Sequence, residues 1–235
     1  MDPIGQAIFN FYFHNDREKL RVDSNYTEDE EIDPAHFFRE KETLPALEKT
    51  AIGLCRGKVL DVGAGAGCHT LILQDMGMVV TAIDKSELAS MVIKKRGVAC
   101  LVTDSIFNLK GREYDTILML MNGAGIAGTL KGLRDLFIHL KTLILPGGQI
   151  LMDSTDIEYL FTEDDGSLWI DLANDQYYGE MTYTVTYRKN ITATFPWLFV
   201  DFPTLAQIAA ETGLEAELKF EGADDEYLAR LTPKI

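Results

Sequence analysis

The run Lys58-Val59-Leu60-Asp61-Val62-Gly63-Ala64-Gly65-Ala66-Gly67 leaves few folds open to this chain. Val59, Leu60 and Val62 are apolar or β-branched with no alternation, the pattern of a strand covered on both faces. Three glycines at every second position then let the backbone turn sharply and come close to a ligand. Cys68 to Gln74 reads as a helix, with Gly77 placed to end it. A strand, a glycine turn and a helix N-terminus point free backbone N–H groups into one crevice, so the expectation is a nucleotide-type site in a doubly wound α/β sheet.

A dinucleotide fingerprint requires a glycine three positions after the second, and that position holds Cys68. What stands here is an acid, Asp61, then Gly63, Gly65 and Gly67. This resembles motif I of the class I S-adenosylmethionine-dependent methyltransferases. S-adenosyl-L-methionine carries a cationic α-amino group and a sulfonium but no pyrophosphate, so a carboxylate in the turn suits it and repels a dinucleotide. The resemblance implies a three-layer α/β sandwich with a mostly parallel seven-stranded, Rossmann-like sheet whose last strand is antiparallel. It also implies methyl transfer to a small-molecule acceptor with that cofactor. Asp61, Gly63, Ala64, Gly65 and Gly67 become the first candidate cofactor-binding residues.

The later strands strengthen the resemblance. Met78 to Asp84 is a second buried strand ending in an acid, and a carboxylate at that tip can accept both ribose hydroxyls. Asp84 and its neighbour Lys85 join the candidates. Val98 to Val102 is a third strand, ending beside Asp104. In the family a side chain here bonds the adenine amino group and the next residues offer a backbone contact, which implicates Asp104, Ser105 and Ile106; an acceptor carboxylate suits an exocyclic amine. Tyr114 to Met121 is a fourth strand followed by Asn122-Gly123. In the family this strand end faces the transferring methyl, which adds Met121 and Asn122, although a plain turn is an equal reading of Asn122-Gly123 and the Pro-Pro-aromatic stretch of some amine methyltransferases is missing. Leu130, Leu133, Leu136, Phe137, Leu140 and Leu143 form a core helical stripe, and Pro146-Gly147-Gly148 turns into a fifth strand ending at Asp153.

The flanks divide the chain into a lid (1–57), a cofactor-binding core (58–153), an insertion (154–202) and a C-terminal helix with a strand pair (203–235). Residues 1–57 read as helical and irregular, with Glu28 to Glu31 as a solvated acidic loop. They resemble the segment that lids the cofactor in small-molecule methyltransferases. Of Phe37 and Phe38, one is expected to pack and the other stays open. Arg39 is a candidate partner for the cofactor carboxylate, with a surface arginine as the plainer reading. The insertion is too long for a simple connection. Met181 to Arg188 alternates as a strand and Thr192 to Val200 pairs back on it, with Pro196 expected to break the ladder. Tyr177, Tyr178, Trp197 and Phe199, with Glu163, Asp164, Asp165 and Glu180, suit a cationic amine acceptor. A substrate lid, an extension of the sheet and a homodimer contact are the three readings; the lid is favoured because strand five ends at the crevice.

A formal net charge of −15 disfavours nucleic-acid substrates. The most apolar run, Thr116 to Leu130, is interrupted by Asn122 and glycines and is too short to span a membrane. Three unpaired cysteines and no leader-like N-terminus fit a reduced, cytoplasmic protein without a cysteine metal site. None of His14, His36, His69 and His139 is assigned as a catalytic base. The alternatives are an NAD(P)-dependent dehydrogenase and a non-catalytic protein of the methyltransferase fold.

Overall fold

In the computed structural model, which describes residues 1–111, 113–162 and 176–234, Asp2 caps α1 (Pro3–His14) by accepting the Gly5 N–H at 2.8 Å. Next come β1 (Leu20–Asp23), β2 (Glu30–Ile32), short 3-10 turns over Pro34–Phe38 and Lys41–Thr43, and α2 (Ala46–Leu54). The glycine motif joins β3 (Lys58–Val62) to α3 (Cys68–Asp75). Then follow β4 (Val79–Asp84), α4 (Glu87–Lys95), β5 (Leu101–Thr103), β6 (Tyr114–Met119), α5 (Leu130–Leu140) and β7 (Ile144–Thr155). β8 (Glu180–Tyr187) and β9 (Ile191–Leu198) precede α6 (Phe202–Glu211), β10 (Leu214–Glu221) and β11 (Glu226–Pro233).

Seven of these strands form one sheet in the order β10-β11-β7-β6-β3-β4-β5, with β11 antiparallel to both neighbours and parallel pairing from β7 through β5. The chain starts this sheet in the middle, winds out to β5, and crosses over to β6. The topological switch therefore lies between β3 and β6, where a doubly wound sheet opens a crevice at its strand C-termini. The sheet is buried on both faces. Leu47, Ala51, Ile52, Ile72 and Leu73 cover Val59, Val80, Leu118 and Leu151 on one side; Leu133, Leu136, Phe137, Leu140 and Leu205 cover Leu60, Ile117 and Ile150 on the other. Each fully buried Leu or Phe of this kind contributes about 1.5–3 kcal/mol.

The N-terminal segment departs from the helical expectation. β1 and β2 form a hairpin, and with β8 and β9 they make a second, four-stranded antiparallel sheet in the order β2-β1-β8-β9. Leu20 and Val22 point inward and Arg21 outward, a period-two pattern only four residues long. Glu30 and Glu31, expected in a solvated loop, keep exposed side chains on edge strand β2, and Glu31 pairs with Lys19 at 2.6 Å. Pro196 does not break its ladder: it stands opposite Thr182 in continuous register. β9 is an edge strand, so a proline nitrogen turned away from β8 leaves no ladder bond to lose. Glu163, Asp164 and Asp165 lie outside the described residues.

Candidate active site

Gly63, Gly65 and Gly67 have φ of +73°, +58° and +81°, left-handed values that a side chain rarely adopts. The loop is pinned to the next strand: the Gly63 and Ala64 N–H groups donate to the Ile83 carbonyl at 2.9 and 3.2 Å. Asp84, at the tip of β4, accepts the Gly65 N–H through Oδ2 and the Ser86 N–H through Oδ1, both at 2.8 Å. Burial raises the Asp84 pKa, and the two N–H groups oppose that rise. Lys85 is exposed beside it. The Asp104 N–H donates to the Asp84 carbonyl at 3.0 Å, which fixes the β4 and β5 tips together. Asp104 is exposed and held below the usual carboxylate range by Asn108 and the Ser105 N–H. Ser105 caps the next turn, and the buried Ile106 accepts at its carbonyl from His139 Nε2 at 2.8 Å.

Asp61 stands apart from these tips. It is buried behind the glycine loop, where Thr70 Oγ1 donates to its Oδ2 at 2.5 Å and burial raises its pKa. Above it lies a charged cluster that the sequence reading did not identify. Glu48, on α2, is 5% exposed and accepts from Arg39 Nη2 at 2.6 and 2.7 Å while meeting His69 Nε2 at 2.6 Å. Burial works against both charges, yet the pair prevails: Glu48 titrates below its ordinary value and His69 above it. Arg39 Nη1 rests against His36, whose pKa falls through burial and the guanidinium. Arg39 Nε is buried with no hydrogen-bond partner among the described residues.

Met121 and Asn122, past the tip of β6, are both left-handed, with φ of +66° and +56°. For methionine this costs roughly 1–2 kcal/mol. Asp153, at the tip of β7, holds the bend by accepting the Asn122 and Gly123 N–H groups at 3.1 and 2.7 Å. Burial pushes its pKa up to about 6. The Asn122 side chain accepts from Ser154 Oγ at 2.9 Å and donates to the Leu198 carbonyl at 3.1 Å. The crevice is thereby tied to the second sheet.

That sheet turns an aromatic face toward the loop after β6. Tyr183, Phe195, Trp197 and Phe199 are half-buried; Tyr183 stacks near Trp197, their planes 12° apart with centroids at 6.5 Å. The Trp197 indole lies so close to Gly125 that a Cβ there would collide with it. Ile126, in the same loop, reaches Gly63, where a Cβ would meet its Cδ1 at 3.3 Å. On the other side, Phe37 and Ile8 come within 3.7 and 4.0 Å of the position a Gly65 Cβ would take. Tyr177 donates to Asp201 at 2.6 Å and Tyr178 to Asp156 at 2.7 Å beside this face.

A solved S-adenosylmethionine-dependent methyltransferase from Bacteroides fragilis, crystallised in complex with S-adenosyl-L-homocysteine, is 44% identical to this chain with a TM-score of 0.92; the match covers 100% of this chain and 95% of that one. The chain belongs to the class I S-adenosylmethionine-dependent methyltransferases. It is an enzyme, and S-adenosyl-L-methionine is its cofactor. Two more distant structures share the fold: the CcbJ methyltransferase of Streptomyces caelestis (16% identity, TM-score 0.60, 82% of this chain and 98% of that one) and a methyltransferase of Clostridium acetobutylicum (14%, 0.60, 83% and 94%). No family model and no curated protein matches the sequence.

In this methyltransferase, Gly63, Ala64, Gly65, Gly67, Asp84, Lys85, Asp104, Ser105 and Ile106 cluster at the tips of β3, β4 and β5, and Met121 and Asn122 lie across the switch point. Asp61 is beneath them, and Arg39 is engaged by Glu48 and His36. The sequence carried a signal for Glu48: it is a carboxylate on the same helical face as Leu47, Ala51 and Ile52. Asp153 repeated the rule already visible in β3, β4 and β5, an acid at the end of a buried strand.

Proposed function

We propose that the enzyme methylates the amino group of a small molecule held under the aromatic face of β8 and β9. The observation that carries this reading is the half-buried surface of Tyr183, Trp197 and Phe199 beside the loop at 121–126, with Glu180, Asp156 and Asp201 as nearby acids. Aromatic faces and carboxylates attract a cationic amine and tolerate the charge it retains after methylation. The overall charge of −15 acts in the same direction and against polyanionic acceptors.

The residues present suit the cofactor. Two lone-pair positions of Asp84 remain after its two N–H bonds, enough for the ribose hydroxyls. Asp104 offers an acceptor to the adenine amino group, with Ser105 and Ile106 alongside. The unpartnered Nε of Arg39 is a donor for the cofactor carboxylate. Gly63 to Gly67 bring the backbone close to the amino-acid end. When bound, S-adenosyl-L-methionine supplies a methyl group on a sulfonium, open to in-line displacement by a nucleophile. Met121 and Asn122 close the pocket at that end, and the aromatic face orients the amine lone pair and excludes water. An ammonium has no lone pair, so the acceptor gives up one proton to solvent as it enters; the free amine then displaces the sulfide and becomes the charged, methylated ammonium, and no side chain is assigned as a base.

Transfer of labelled methyl to a panel of small amines, alcohols and carboxylic acids tests this. Turnover confined to amines supports the proposal; turnover only on hydroxyl or carboxyl acceptors refutes it.

A further inference from the structure

We infer that Arg96 is a positioning residue, a clasp that fastens the N-terminal lid onto the glycine loop and thereby sets how fast the cofactor and its product leave. The inference rests on the reading of that loop as the cofactor cradle.

Arg96 follows the last turn of α4, where a cation is expected to face its own helix's carbonyls. Lys94 and Lys95 are the exposed cations there. Arg96 instead reaches across to the glycine loop, its Nη1 donating to the Ala66 carbonyl at 2.6 Å. Ala66 stands between Gly65 and Gly67, so this bond acts on the backbone that approaches the ligand. The guanidinium also lies over the Phe38 ring, 5.1 Å from its centroid. Phe38 in turn stacks on Phe11 of α1, with centroids 4.8 Å apart, and lies nearly parallel to the Tyr12 ring at 6.2 Å. One half-buried side chain thus touches the cradle at one end and the lid at the other. Burial lowers its pKa, so the charge is held in place against desolvation.

The lid covers the cradle. Ile8 packs with Ala66, Ala89 and Val92, and Phe37 and Phe38 pack against the same cluster. Other fastenings reach it from the core: Ser86 Oγ donates to Asp2, Cys68 Sγ donates to the Arg39 carbonyl at 3.0 Å, and His69 Nε2 meets Glu48 at 2.6 Å. Lifting the lid from the loop breaks the Arg96–Phe38 contact or the Arg96–Ala66 bond. Arg96 therefore resists lifting of the lid, the step through which bound ligand leaves. A planar guanidinium can stack and donate at once, and an ammonium does this less well.

Dissociation of S-adenosylhomocysteine from the full-length protein, followed by chasing labelled ligand, is the test. Arg96→Met and Phe38→Leu should each speed release about tenfold or more while the association rate stays within about threefold. Arg96→Lys should fall between parent and Arg96→Met. The double variant should release ligand no faster than the faster single variant, because both remove one shared contact. Release in Arg96→Met within about twofold of the parent, or single effects that multiply in the double variant, would overturn the clasp. Gly65→Val separates the two readings, because a β-branched residue at φ +58° cannot keep the loop's backbone path. If that variant loses ligand while Arg96→Met releases it at the parental rate, the clasp alone fails. If it binds normally, the cradle reading fails too.

Discussion

Replacing Asp84 with alanine isolates the ribose contact. Its carboxylate holds the Gly65 and Ser86 N–H groups at 2.8 Å each, which leaves two lone-pair positions for two hydroxyls. A hydrogen bond to a charged group contributes about 1.5–3 kcal/mol, and the free ligand's hydroxyls are already hydrated, so the pair together should contribute no more than that range. Asp84→Ala should therefore weaken S-adenosylhomocysteine binding roughly 10- to 150-fold by calorimetry. The parent should also prefer adenosine over 2′-deoxyadenosine, and the variant should not. Because burial raises the Asp84 pKa and hydroxyl donors favour its ionised form, parental affinity should fall as pH drops through that pKa. Unchanged affinity in a folded variant, or undiminished preference for the 2′-hydroxyl, would put the ribose elsewhere.

Three further outcomes are expected. Arg39→Ala should lower affinity for S-adenosylhomocysteine but not for adenosine, which lacks the amino-acid tail; equal losses for both ligands would remove Arg39 from the site. Trp197→Ala should raise the acceptor KM about 3- to 30-fold with cofactor affinity nearly intact, checked by steady-state kinetics beside calorimetry. Asp153 is raised from an ordinary 3.8 to about 6, a gap of about 3 kcal/mol in stability. A raised carboxyl stabilises the fold below its unfolded pKa and loses that contribution as pH rises through its folded value. Stability from this group should fall between about pH 4 and pH 7, and Asp153→Asn should flatten that part of the Tm profile; a parental slope in the variant would contradict it.

The core was legible because its signals are local. Strand, glycine turn and helix follow one another in ten to twenty residues, and the acids at 84 and 104 recur at strand ends, which a doubly wound sheet brings to one crevice. The four-stranded sheet was not legible, because Leu20 to Asp23 pairs with Thr184 to Tyr187, far along the chain, and four residues give little periodicity. Asp61 shows a different limit: the motif marks an acid in the turn, but only the fold shows Thr70 turned onto it and solvent excluded. Arg39 read as half of a ligand contact because its protein partner, Glu48, lies nine residues on in a separate element, and only the fold brings the two together. Pro196 misled for a related reason, since edge and interior strands look alike until the sheet is assembled.

A crystal structure of this protein with S-adenosylhomocysteine and an amine acceptor bound would test the central claim most directly. The account expects the ribose hydroxyls on Asp84, the adenine beside Asp104 to Ile106, the ligand carboxylate on Arg39, and the sulfur facing an amine under Tyr183 and Trp197. A ribose away from Asp84, or a sulfur turned away from the β8–β9 face, would contradict it.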